Sequence, residues 1–358
     1  MNNDFDEVLE FCKLSIPKAH HKRIGIVGAG GIVAGAHLPA YALAGLPIHG
    51  ITDIDHERAK ELAKEHGIVN VYDDYKQMLA DPEIEVVDIA VPAAEQPKIL
   101  LAALAAGKHV LAQKPLATSV EAAQELEAAS EESGLVVGVN QQLRFDEGIA
   151  AAYKMVQMGW IGKVSNFSLT VNLDTPWELW DWANTMERLE IMIHSIHYHD
   201  VVRWFLGEPE RVYAVAGKTP GQAPIGETRT ISTYTFASGA SALIHSNHVN
   251  RGGDNIAEFR IDGESGSIRG TLGLLYDYPV GRLDTLEINS QVLPTEGWVA
   301  YPVTNRWIPE AFIGTMGSVL SAISDGTPLR SSIRDNVNTI RLIHALYKSI
   351  ESGESQAL

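Results

Sequence analysis

Lys114 lies in Gln113-Lys114-Pro115, directly after the apolar run His109–Ala112, which reads as a buried strand. A lysine at the end of a parallel strand stands at the crevice where α/β proteins bind their ligands. Partial loss of water there loosens its proton, so that it can act as an acid or a base. Pro115 fixes the backbone just after it. From composition alone the other reading is a surface lysine in a strand-to-helix loop. A second group is Gly28-Ala29-Gly30-Gly31-Ile32, between the apolar run Ile24–Val27 and an alanine-rich segment, Val33–Leu43. Strand, glycine turn and helix in that order make a phosphate site: Gly28 allows the turn, Gly30 lets a pyrophosphate approach, and helix N–H groups hold the charge. Val33 stands at the third position of G-x-G-x-x-G/A, so the fingerprint is incomplete, and a purely structural glycine turn stays open. Asp53 closes the next apolar run, Ile48–Thr52. An acid about 20 residues past the glycines binds the ribose hydroxyls of NAD and repels the 2′-phosphate of NADP, which favours NAD. Arg58 lies a helical turn further on.

A third group is Asp174-Thr-Pro-Trp177-Glu-Leu-Trp180-Asp181-Trp182. Indole faces cover the C–H faces of a sugar ring while nearby carboxylates accept hydroxyl hydrogen bonds. A packing contact between domains or subunits is the alternative. The fourth group is His194, His197, His199 and Asp200. A metal site is the lesser alternative, because 194 and 197 share a helical face while 199 is turned away and no H-E-x-x-H pattern is present. A packed or capping role is expected of His199. Asn140 and Arg144 follow the last strand of the first third, and Asn247, His248 and Arg251 end a later strand; these can line the same crevice.

The elements that must position these groups alternate. Strands Ile24–Val27, Ile48–Asp53, Val69–Tyr72, Glu85–Val91, His109–Ala112 and Val136–Asn140 are separated by helical patterns. Asp55 and Ser119 are expected to cap two of those helices, and Gly107 and Gly134 to end two. Such alternation implies βαβ units and a doubly wound parallel sheet. After Arg144 the texture changes. A helix near Glu147–Met158 precedes strands Val164–Asn172, Val212–Gly217, Thr228–Phe236, Ala240–Asn247, Ala257–Asp262 and Ser267–Thr271, with a hairpin turn at Ser238-Gly239. A helix near Met192–Leu206 interrupts them. Two helices, Ile308–Ser324 and Ser332–Ser352, close the chain. This predicts a second, α+β domain on a mostly antiparallel sheet.

The 358 residues exceed what one core holds well, and 45% hydrophobic with 20% charged is the composition of a globular enzyme. A formal charge of −17 argues against binding nucleic acid or an anionic membrane. The single cysteine, Cys12, excludes a disulfide framework. No apolar run is long enough to span a membrane, and the acidic start lacks the basic region of a signal peptide, so cytoplasmic residence is the expectation. Residues 1–20 read as a loosely attached arm.

The order Gly28-x-Gly30-Gly31-Ile32, strand-end Asp53, strand–Pro92, the block Ala106-Gly-Lys-His-Val-Leu-Ala-Gln-Lys-Pro-Leu-Ala117, Asn140…Arg144-Phe145 and Asp325-Gly-Thr-Pro328 resembles the Gfo/Idh/MocA family, the glucose–fructose oxidoreductase and inositol dehydrogenase relatives. The block is similar to the family's AGKHVxxEKPxA motif, with Gln113 in place of Glu. The resemblance implies a Rossmann domain, an open-sheet second domain that mediates homodimers or homotetramers, and Lys114 touching the reacting hydroxyl. The family's D-x-G-x-H-x-x-D motif maps onto Ile193–Asp200, making His197 and Asp200 the matching residues and leaving Ile193 where the first Asp belongs; His194 and Ser195 stand beside it. The family's strand-end T-P-N-x-x-H reads Val91-Pro92-Ala93-Ala94-Glu95-Gln96, with only Pro92 kept.

The expectation is therefore an arm (1–20), a Rossmann domain (21–143) and a substrate-binding and oligomerisation domain (144–358). The implied activity is an NAD-dependent dehydrogenase of a sugar, sugar derivative or cyclitol, with substrate between the domains. Lys114 and His197 are its catalytic residues. Trp177, Trp180, Trp182, Arg144, His194 and Asp200 bind substrate. Gly28, Gly30, Gly31, Ile32, Asp53, Pro92, Gln113 and Lys114 hold the cofactor, and no metal is called for. A redox-neutral elimination or isomerisation enzyme, or a sugar- or NAD-sensing protein without catalysis, are the rivals.

Overall fold

The computed structural model describes residues 5–278, 281–294 and 296–358. Two compact units divide the chain: residues 14–145 with 308–340, and residues 1–13 with 146–307 and 341–358.

In the first unit, β1 (Ile24–Val27), β2 (Ile48–Thr52), β3 (Asn70–Val71), β4 (Val86–Ile89), β5 (His109–Ala112) and β6 (Val137–Val139) form a parallel sheet in the order β3-β2-β1-β4-β5-β6. β1 and β4 are buried along their whole length, as a sheet covered on both faces requires. The register sets Val27 beside Thr52 and Ile89, Ile89 beside Ala112, and Ala112 beside Val139. Gly28, Asp53, Ala90, Gln113 and Asn140 therefore all leave the sheet along its carboxyl edge. The expected caps form: Asp55 accepts from Arg58 N, Ser119 accepts from Ala122 N, and Gly134 turns left-handed. The segment expected as one helix, Val33–Leu43, instead begins with a wide π-type turn, Val33–His37, before the α-helix Leu38–Ala44. Pro39 has no N–H for a continuous α ladder.

The helix Ala311–Asp325 supplies Phe312, Ile313, Met316, Val319 and Leu320 to the core built on Ile24, Ile26 and Leu111. The linear division at residue 144 therefore differs from the physical one, because the sheet needs this late helix to cover its face. Residues 5–13 differ too from a loose arm: the helix Asp6–Cys12 buries Val8 and Cys12, and the Phe5 ring packs edge-on against Trp160 and Tyr301.

The second unit is built on β7 (Val164–Asn172), β8 (Arg211–Gly217), β9 (Arg229–Thr235), β10 (Ser241–Asn247), β11 (Ile256–Gly263), β12 (Gly266–Thr271), β13 (Leu286–Ser290), β14 (Val299–Ala300) and β15 (Gln356–Ala357). Among the described residues they run β14-β13-β12-β11-β7-β10-β9-β8-β15, antiparallel except for β7 beside β10. β9 and β10 are joined across Ser238-Gly239 as expected, with Phe236 N donating to Ala240 O. Residues alternate buried and exposed along β9, so one face meets the core while the other is open. Tyr213, Val215, Ile231 and Leu243 are apolar residues exposed on the open side.

Asp146 caps the helix Glu147–Gln157 through Ile149 N. It is hydrogen-bonded to Asp284, whose other contact is Gly273 N. Burial, then the neighbouring acid, pushes the Asp146 carboxyl far up; burial raises Asp284 to about 6. The pair holds a proton that the unfolded chain releases near pH 4. Its contribution to stability is thus whole below about pH 4 and is lost as pH climbs through 6 and above. Asp284→Asn keeps an oxygen for Gly273 and offers Asp146 an amide donor. Its urea midpoint should exceed the parent's at pH 8 and not at pH 4; parallel declines in both proteins would show that the pair shares no proton.

Candidate active site

The carboxyl edge of the six-stranded sheet carries the first group of candidate residues. Gly28 has φ +113°, and a Cβ there would stand 2.3 Å from Ala90 O, so no other residue fits. Its N–H donates to Thr52 O at 2.8 Å. At Gly30 and Gly31 a Cβ would meet nothing within 4 Å, so this side of the turn is open to a ligand. Asp53 Oδ2 accepts from Ala29 N at 2.6 Å and Oδ1 from Asp55 N at 2.8 Å. A carboxylate has about four acceptor positions, so this one stays fixed against the glycine turn with capacity for two hydroxyls. An open glycine turn with a rigid acid at the next strand end fits the pyrophosphate and ribose of a dinucleotide. Ile32 is 38% exposed beside the turn, and Pro92 is exposed in the loop after β4.

Lys114 is half-buried, and its proton is loosened to about 8 by desolvation. The loop that carries it is held by Gln96, which sequence reading passed over as a lost motif residue. Its amide nitrogen donates to Gln113 O, Pro115 O and Leu116 O at 2.7–3.0 Å, and its oxygen accepts from Gln113 N at 2.8 Å. The cue was available: a polar residue at the start of a helix one strand away from the lysine. Gln96→Leu strips these bonds from buried backbone and should cost about 2–4 kcal/mol in urea denaturation. A loss under about 0.5 kcal/mol would mean that the loop holds itself.

Arg144 takes another role than the one expected. It is buried, donates to Arg330 O at 2.8 Å and pairs with Asp335, so its guanidinium is committed inside the fold. Asn140 is likewise buried, its amide turned to His37.

In the second unit, His197 is buried on the helix Ile196–Leu206, its ring edge-on to Trp307 with centroids 5.7 Å apart. His194 sits among Trp177, Trp180 and His248, at 5.3, 6.4 and 4.9 Å between centroids. Trp180 is half-buried against Tyr278, and Trp182 is 54% exposed. Trp177 differs from the expected platform: it is buried with Ala183 and Leu189, and its indole N–H donates to His248 O at 3.3 Å. Asp200 is also buried, 3.9 Å from Arg203 on its own helix, which places it in the fold rather than on a ligand surface. Asn247 bonds Asn172 across the sheet and Arg251 donates to Pro220 O.

Where the motif's first acid is replaced by Ile193, a carboxylate appears one turn earlier. Glu190 opens a π-type turn, Glu190–His194, that separates it from the α-helix; one helix from Met192 had been expected. Its carboxylate accepts from Ser195 Oγ and Thr230 Oγ1 and faces His248 Nε2 at 3.5 Å. Burial drives its pKa up, but the His248 hydrogen bond and charge, with Thr230, outweigh it and hold it near 2. No spacing rule linked residues 190 and 248; only the sheet brings them together. His199 bonds Ser195 Oγ and Tyr234 OH through its two nitrogens, and burial lowers it to about 4. Among the described residues no group of three His, Cys, Asp or Glu is arranged to hold a metal ion, and no helix is long and apolar enough to cross a membrane.

Comparison with known proteins agrees with this geometry. The model of an oxidoreductase family with an NAD-binding Rossmann fold, GFO_IDH_MocA, matches residues 22–141, and that of the GFO/IDH/MocA C-terminal domain matches residues 149–269. The chain is 25% identical to the D-apiose dehydrogenase of Paraburkholderia graminis over 331 residues, 90% of this chain and 86% of that protein. It is 29% identical to the levoglucosan dehydrogenase of Pseudarthrobacter phenanthrenivorans over 285 residues, 68% of this chain and 72% of that one. Its fold matches an oxidoreductase of Agrobacterium radiobacter, solved with NAD+, L-tartaric acid and magnesium, at a TM-score of 0.84 and 22% identity, covering 94% and 98% of the two chains.

Proposed function

Because this chain belongs to the Gfo/Idh/MocA family of NAD-binding oxidoreductases, we propose that it is an NAD-dependent dehydrogenase that oxidises a CH–OH group of a sugar, sugar derivative or cyclitol. The observation that carries the reading is the register of the carboxyl edge. The open glycine turn, Asp53 and a lysine with a loosened proton follow β1, β2 and β5 at the same end of one sheet. Gly28, Gly30, Gly31, Ile32, Asp53 and Pro92 would hold NAD, which supplies a hydride acceptor when bound. Lys114 takes the proton of the alcohol, and His197 is the second unit's own candidate for a substrate hydroxyl. His194, Trp180 and Trp182 offer the aromatic and polar surface that a ring with alternating C–H and O–H faces needs. Asp53 carries the preference for NAD over NADP. The relatives named for apiose and levoglucosan support the substrate class.

The same reading includes a homodimer or homotetramer formed through the open face of the larger sheet. What supports it is the row Tyr213, Val215, Ile231 and Leu243, whose exposure on adjacent strands is the pattern of an apolar patch made to be covered.

The test is absorbance at 340 nm with purified protein, NAD or NADP, and aldoses, anhydrosugars, glycosides and inositols. NADH formed with one class, and more slowly with NADP, supports the assignment. Tight NAD binding by calorimetry with no reduction across the set overturns the dehydrogenase in favour of a redox-neutral enzyme or a sensor.

A further inference from the structure

Beneath the Lys114 loop lies a chain of buried polar groups that the proposed reaction does not use. His37, on the wide turn after the glycines, is fully buried, as are Asp88 on β4 and Tyr41 on the following helix. His37 Nδ1 and Tyr41 OH each lie 2.6 Å from Asp88 Oδ2. His37 Nε2 faces Gln113 Nε2 at 3.1 Å and Asn140 Nδ2 at 3.4 Å. Gln113 Oε1 accepts from Lys114 N at 2.8 Å. The rings of Tyr41 and Phe312 wall the imidazole in.

Every proton in this chain has a fixed direction. The Lys114 N–H can only donate, so Gln113 must turn its oxygen to it and its NH2 to His37. Two amide donors then face His37 Nε2, which must be a bare acceptor, and its one proton sits on Nδ1 toward Asp88. Burial, then the charge of Asp88, pushes the Tyr41 phenol well above its ordinary range, so it remains a donor to the same carboxylate. The run Lys114 N–H to Gln113, Gln113 to His37, His37 to Asp88 is polarised one way, and its negative charge rests at the far end, on Asp88.

We propose that the Asp88–His37 pair is a positioning device that acts through Gln113: it orients the Gln113 amide under Lys114 and keeps the charge of this buried floor away from the lysine. The proposal rests on Lys114 being the group that takes the proton. It gives the Gln at position 113 a purpose. A carboxylate there would accept from Lys114 N–H equally well but has no hydrogen for His37 Nε2. His37 would then need a second proton and become an imidazolium between two carboxylates. The net charge of the network would be unchanged, yet one negative charge would now stand at residue 113. An anion there stabilises the charged lysine and moves the release of its proton to higher pH.

The experiment is Gln113→Glu, a replacement of equal size, read two ways in the full chain. Long-range proton–nitrogen NMR of the imidazoles, with His37 assigned by its loss in His37→Gln, should show one protonated nitrogen in the parent at pH 7 and two in Q113E. Adding Asp88→Asn to Q113E should return His37 to a single proton, now on Nε2. The acid limb of kcat/KM for oxidation should move up by about one pH unit in Q113E. A His37 that is doubly protonated in the parent, or identical in parent and Q113E, overturns the proposal. A changed His37 with an unmoved acid limb overturns its link to Lys114. A parent that never forms NADH strikes the dehydrogenase reading instead, and the NMR result alone then decides the network.

Discussion

Lys114→Ala should lower kcat by about 10²- to 10⁴-fold, the range for losing a general acid–base group, while NAD affinity measured by calorimetry stays within about threefold. The two readouts separate because different atoms carry them. Pyrophosphate and ribose contacts belong to the glycine turn and Asp53, which the substitution leaves alone. The lysine stands two residues past β5, where desolvation has brought its pKa to about 8. A base must be neutral to accept a proton, so the parent's rate of alcohol oxidation should rise with pH through about 8 and level off above it. Carbonyl reduction needs the protonated lysine and should fall over the same interval. Lys114→Ala should flatten both profiles. Unchanged turnover, or a profile that keeps its inflection without the lysine, would remove Lys114 from the reaction.

Gly28→Ala should destabilise the protein before any cofactor is added, by about 2–4 kcal/mol, from the strained φ and the clash with Ala90 O. Gly30→Ala and Gly31→Ala should do the opposite: each new methyl meets no protein atom, so the apo melting temperature should hold within about 1–2 °C. The methyls would instead occupy the space a pyrophosphate needs, and the NAD dissociation constant should rise by at least about tenfold. Differential scanning fluorimetry with and without NAD checks all three variants. If Gly30→Ala melts early, the open side of the turn is a packing surface and not a cradle.

The elements along the carboxyl edge were legible because their signals are local. Asp55 and Ser119 cap where a short acceptor side chain precedes a helical pattern, and the strand-end positions of Asp53 and Gln113 follow from where apolar runs stop, whereas β4 ends at Ile89, short of the expected end before Pro92. Long-range commitments were not legible. Arg144 looks like a ligand-facing cation until Asp335, far along the chain, claims it. Trp177 carries the same composition signal as Trp180 and Trp182, yet it packs on Leu189 while Trp182 reaches solvent. Glu190 and His248 meet only because β10 and the turn at residue 190 reach the same place in the unit. Ile193 stands where the motif's first acid belongs, and no motif spacing points to the carboxylate one turn earlier, Glu190.

The late helix Ala311–Asp325 sets a condition on how this protein is made. When residues 14–145 have left the ribosome, all six strands of the parallel sheet exist, but the cavity meant for Phe312, Met316, Val319 and Leu320 is still empty. The nascent chain must carry that exposed apolar groove through the whole synthesis of residues 146–307. Translation at about 5–20 residues per second makes this an interval of several seconds or more. The groove is where a chaperone that recognises apolar surface would engage the emerging chain, and an expressed 1–145 fragment would present it permanently and aggregate.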